Sequence, residues 1–135
     1  MAYQIYDSEK YLGFQSTNKN LEDLFKESFH ALMKIICGQI TIIETETQEI
    51  KITGTGIEDL FAKFYTHVLS DLTDHSLLYS KIKKFQFSKD FHELSVTVSG
   101  DKSEHYNFTN DIKKLDNVSI SSDISGWTLD AKFNI

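Results

Sequence analysis

The chain has 135 residues and a mass of 15.6 kDa, the size of one domain, here residues 1–135. Hydrophobic residues make up 40% and aromatics 13%, which supports a packed core and excludes a disordered chain. Twenty acids against fourteen lysines and arginines leave a net charge of -6, which argues against direct nucleic-acid binding and suits a cation or a basic protein surface.

The opening residues, MAYQIYDSEK, lack the basic and apolar regions of a signal peptide, and no apolar run is long enough for a membrane span. A single cysteine, Cys37, excludes an intrachain disulfide and a cysteine-rich zinc site. These features together predict a cytoplasmic protein.

Along the chain, residues 3–6 and 10–16 read as short strands. An amphipathic helix follows over 21–36. Leu21, Leu24, Phe25, Phe29, Leu32, Ile35 and Ile36 repeat at three- and four-residue steps. Asn20 suits its N-cap, Glu22 and Asp23 suit its first turn, and Gly38 suits its stop. Strands are expected at 40–44 and 48–53, with Glu46–Gln48 turn-like. A second helix is expected over 57–72, with the stripe Ile57, Leu60, Phe61, Phe64, Val68, Leu69 and Leu72. Thr55 and Glu58 have the spacing of a capping box. The two helices open alike, Leu21-Glu22-Asp23-Leu24-Phe25 and Ile57-Glu58-Asp59-Leu60-Phe61, which suggests a duplicated strand–helix unit.

The later half alternates with period 2 at 79–87, 93–99, 112–120 and 127–134, with Ser99–Ser103 turn-like. Lys81 and Lys83 would guard an edge strand. Trp127, Leu129, Ala131, Phe133 and Ile135 form the clearest alternation, and Asp130 points away from it. The expected class is α+β: an antiparallel or mixed β-sheet with two helices packed on one face.

Motifs for catalysis are weak. His30, His67, His75, His92 and His105 include no pair spaced for a metal on one helical face. Cys37 sits at a helix C-terminus, where the dipole disfavours a thiolate. Gly54-Thr55-Gly56 is followed by acids that would repel phosphate, so it reads as a turn. Asp7, Glu9, Asp59 and Asp130 are the carboxylates best placed for a cation, with surface positions as the plainer reading. His105 with Asp101 or Glu104 is the pairing an enzyme could use. Tyr3, Tyr6, Tyr11, Phe14 and Tyr106 could form an interface if exposed rather than packed.

Residues 3 to 135 resemble a divergent archease. The resemblance is carried by Tyr3-Gln4-Ile5-Tyr6, by Leu21–Phe25 with Phe29-His30-Ala31-Leu32, and by Ile57–Phe61 with Phe64 and Val68-Leu69. Leu77–Lys81, Leu94–Gly100, Asp111–Lys114 and the strand from Trp127 follow in the family's order. The resemblance implies a non-catalytic accessory protein that assists an RNA-splicing ligase in tRNA splicing or RNA repair. It also implies guanylylation of that ligase as the assisted step, and a divalent cation (calcium, magnesium or manganese) held by aspartates. One family aspartate ends a His-Thr-Ala-Asp motif, replaced here by Ser8-Glu9-Lys10-Tyr11. The other is penultimate in the last strand, where this chain has Asn134. A family histidine falls near Val118. The site is therefore expected to be degenerate, with Asp7, Glu9 and Asn134 as the remaining oxygen donors and Ser8 and Tyr11 as its remnant. The expected partner is the ligase or another basic protein surface, and the chain is expected to be a monomer or homodimer. The alternative is an interaction module that kept the fold and took another partner. All of this requires Tyr11 and Asn134 to lie together.

Overall fold

The computed structural model describes residues 3–7, 11–38, 40–108 and 112–135. Its elements are β1 (Tyr3–Asp7), β2 (Tyr11–Asn18), α1 (Leu21–Cys37), β3 (Glu46–Thr53), α2 (Ile57–His75), β4 (Leu77–Phe87), β5 (Glu93–Lys102), β6 (Lys114–Asp123) and β7 (Gly126–Asn134), with a short 3-10 turn at Ser103–His105. They form two compact units, Met1–Gly38 with Thr109–Ile135, and Gln39–Phe108.

In the first unit, α1 begins where the Asn20 side chain accepts the Asp23 N–H at 2.8 Å. It ends at Gly38, whose φ of +62° suits a residue without Cβ and whose N–H donates to Lys34 O at 2.9 Å. Its stripe of Leu24, Phe25, Phe29, Leu32 and Ile36 is buried. Ser28 is tolerated on that stripe because its hydroxyl donates to Leu24 O at 2.6 Å. Four antiparallel strands in the order β1-β2-β7-β6 meet the helix with Phe14, Leu129, Ala131 and Phe133, all fully buried. The Phe14 and Phe133 rings stack at 6.2 Å.

In the second unit, α2 packs against β3 and β4 of an antiparallel sheet ordered β3-β5-β4. Ile50, Ile52, Leu94, Val96 and Val98 are buried, as are Leu60, Phe61, Phe64 and Val68 of the helix. At the β4–β5 crossing, a Cβ on Gly100 would lie 2.0 Å from Leu78 O. Only glycine allows the two backbones this close. Lys81, Lys83 and Lys84 lie on edge strand β4, and Lys83 is ion-paired with Glu44 at 2.5 Å.

The two units share one connectivity. In the first, the series β2–α1–β6–β7 places β7 between β2 and β6; in the second, β3–α2–β4–β5 places β5 between β3 and β4. The similar helix openings therefore stand at equivalent places in equivalent units. The first unit adds β1.

The α+β class and the antiparallel pairing agree with the sequence expectation. The strands, however, form two sheets with one helix each. Residues 40–44 are not a strand, and Glu46–Gln48 begins β3. Pairing with the central strand β5 supplies the backbone hydrogen bonds that carry this polar stretch into the sheet, and Thr47, Gln48 and Glu49 face solvent. For the same reason Ser99–Lys102 continues β5. The capping box at α2 does not form. Gly56 is the N-cap, and Asp59 rather than Glu58 turns back to accept the Thr55 N–H at 3.0 Å.

Candidate functional site

Tyr11 is the first residue of β2 and Asn134 the last of β7, and the register sets them directly opposite each other. Lys114, the first residue of β6, lies opposite Asn134 on its other side. The Lys113 N–H donates to Asn134 O at 2.7 Å, which ties this corner together. Paired residues in an antiparallel ladder share a face. Tyr11, Asn134 and Lys114 thus form one row on the side opposite the buried Leu129–Phe133 stripe. The next row on that face holds Gly13, Lys132 and Asn117. Lys132 reaches back so that its Nζ lies 5.0 Å from the centre of the Tyr11 ring, a cation–π contact.

One row further, Gln15 Nε2 donates to Asp130 Oδ1 at 3.2 Å and the Tyr6 hydroxyl donates to the same oxygen at 3.4 Å. Burial, and then the Asp130 charge, push the Tyr6 phenol above its usual range. Asp130 points away from the apolar stripe, as the alternation predicts, and its Oδ1 accepts both of these hydrogen bonds.

Asp7 pairs with Leu12, which in turn pairs with Phe133. The register therefore puts Asp7 on the opposite face from Tyr11 and Asn134. Ser8 and Glu9 lie outside the described residues. Val118 pairs with Ala131, on the face that packs against α1, and offers no ligand. Among the described residues no group of three or more His, Cys, Asp or Glu side chains is arranged for a metal. The donors at the corner are a phenol and a carboxamide beside a lysine ammonium. They do not suit a divalent cation, which needs anionic oxygens to offset its dehydration.

A second cluster escaped the sequence reading. Asp71 of α2 accepts from the Tyr79 hydroxyl at 2.5 Å, with His67 Nε2 at 3.2 Å and His75 Nδ1 at 3.4 Å. The signal was present as His67-x3-Asp71-x3-His75, which puts both imidazoles one helical turn from the carboxylate. A search for paired histidines passes over it. Burial, and then the Asp71 hydrogen bond, push the Tyr79 phenol far above its ordinary value. The cluster borders a cavity of about 270 Å³ lined also by Gln48 and Glu49.

The His105–Asp101 pair is assembled, at 3.1 Å. Asp101 also accepts from Thr45 Oγ1 at 2.6 Å, Tyr106 OH at 2.8 Å and the Lys102 N–H at 2.8 Å. These bonds, Thr45 first, hold its carboxyl well below the usual carboxylate range. A carboxylate with four donors orders a turn; His105 itself is more than half exposed. Phe14 is fully buried and belongs to the core rather than to an interface. Cys37 is buried, its thiol is pushed up by that burial, and its Sγ donates to Met33 O at 3.1 Å, as befits an inert thiol.

The geometry defines an α+β protein built from two β-α-β-β units, with a polar sheet corner at Tyr11–Asn134. The model of the archease protein family (MTH1598/TM1083) matches residues 3–134, and the chain belongs to that family. The solution structure of Methanobacterium thermoautotrophicum protein 1598 is similar with a TM-score of 0.75 and 17% identity, covering 98% of each chain. An archease from Thermotoga maritima (TM1083), described as a possible chaperone, is similar with a TM-score of 0.55 and 16% identity, over 91% of this chain and 89% of that one. No curated protein matches. Among the described residues no helix is long and apolar enough to cross a membrane.

Proposed function

We propose that this chain is an accessory protein rather than a catalyst, and that it assists an RNA-splicing ligase in RNA repair or tRNA splicing. The observation that supports this reading is the family match over residues 3–134. The possible chaperone role given for the Thermotoga maritima archease is of the same non-catalytic kind. In this reading the protein acts in the cytoplasm by docking against the ligase, with the chain's acidic balance meeting a basic rim. Its divalent-cation site is degenerate. Tyr11 and Asn134 stand at the two family aspartate positions, and neither carries negative charge. Calcium, magnesium or manganese is then not a resident cofactor.

The test is a pull-down with the ligase, paired with a guanylylation assay with and without this protein. Association and a faster guanylylation are expected. No association and no change in rate would remove the reading and leave the alternative, a module of the same fold with another partner.

A further inference from the structure

Two lysines, Lys132 and Lys114, stand beside Tyr11 and Asn134 at the corner of the four-stranded sheet. Lys132 and Lys114 are diagonal neighbours on one sheet face, two residues apart in register across β7 and β6. Diagonal neighbours are separated by about 7–8 Å between Cα atoms, so the two long side chains can converge on one group once Lys132 leaves its place over the Tyr11 ring. Among the described residues no carboxylate pairs with either lysine. Asp130, the nearest acid on the same face of β7, is already held by Gln15 and Tyr6. Asp116 is the extra residue of the bulge between Leu115 and Asn117 and has no cross-strand partner. The carboxamides of Asn117 and Asn134 are on the same face and make no side-chain hydrogen bond among the described residues. Tyr11, with Lys132 drawn over its ring, walls one side.

We propose that this face of the four-stranded sheet binds a phosphate group, with Lys132 and Lys114 as the charges, Asn117 and Asn134 as neutral donors and Tyr11 as the side wall. Two ammonium groups and two carboxamide N–H donors match the charge and acceptor oxygens of a phosphate monoester. The same set repels a divalent cation. This goes beyond the ligase reading and is tested by binding alone, so failure of either is read separately.

The experiment is a titration of the full chain, followed by amide NMR, with inorganic phosphate, a mononucleotide monophosphate, and calcium or magnesium chloride. Phosphate is expected to shift the signals of Tyr11, Asn117, Lys132 and Asn134 saturably, and added salt to weaken the effect. Lys132→Met and Lys114→Met should each weaken binding about fivefold, the worth of one charge at contact distance in a watery site. Lys132→Arg should retain binding, and Lys89→Met, in the exposed turn of the other unit, should leave it unchanged. Tighter binding of the mononucleotide would place its base on the Tyr11 ring, and equal binding would assign the site to the phosphate alone; both support the proposal. Saturable shifts from calcium or magnesium at these residues would overturn it. So would phosphate shifts that survive loss of both lysines in a chain with an otherwise unchanged spectrum, or no phosphate shift at all.

Discussion

Tyr79→Phe removes one buried hydroxyl and keeps the ring. Tyr79 is 2% exposed, so its O–H has no water to fall back on, and it donates to the Asp71 carboxylate at 2.5 Å. A hydrogen bond to a charged group contributes about 1.5–3 kcal/mol. His67 and His75 stay beside Asp71 after the substitution, so the carboxylate is not stranded and the loss should be near 2 kcal/mol, about the middle of that range. Chemical denaturation at neutral pH measures it. The pH dependence gives a second reading. The folded Tyr79 phenol titrates above its ordinary value of 10.0, so the unfolded chain ionises first as pH rises. Its contribution is complete below about pH 10 and declines above it, by up to about 1.4 kcal/mol per pH unit. The gap between the native chain and Tyr79→Phe should therefore narrow between about pH 9 and pH 11.5. A loss under about 0.5 kcal/mol at neutral pH, or an alkaline decline of equal slope in both proteins, would refute the assignment of Tyr79–Asp71 as a buried charge-assisted bond.

Other outcomes follow from single contacts. Gly100→Ala places a Cβ 2.0 Å from Leu78 O and should cost about 3 kcal/mol or more, read as a shift in the denaturation midpoint or loss of folded protein. Asn20→Ala removes the α1 cap and should cost about 1 kcal/mol, while Asn20→Asp should restore most of it. The folded Asp101 carboxyl lies below its unfolded value, so its stabilising effect is present above about pH 4 and is lost as pH falls further. Asp101→Asn should flatten the acid limb of the stability profile, and an unchanged limb would contradict the four-donor geometry.

The helices were legible because their signal is local: Leu24, Phe25, Phe29 and Leu32 repeat with the helix's own period, and Asn20 and Gly38 sit at its ends. The closing strand was legible for the same reason, since alternation from Trp127 to Phe133 marks one buried face. The order of these pieces was enough to bring the archease family into view, and with it the expectation that Tyr11 and Asn134 lie together. What the linear pattern could not supply was partnership. A strand's alternation says which residues share a face of that strand, but not which residue of another strand lies beside them. Folding put Tyr11 opposite Asn134, set Lys132 and Lys114 around them, and left Asp7 on the other side. It also divided the strands between two sheets and joined Asp71 of α2 to Tyr79 of β4. Each of these depends on register and packing between segments far apart in the chain, and such long-range pairings are decided only when the core closes.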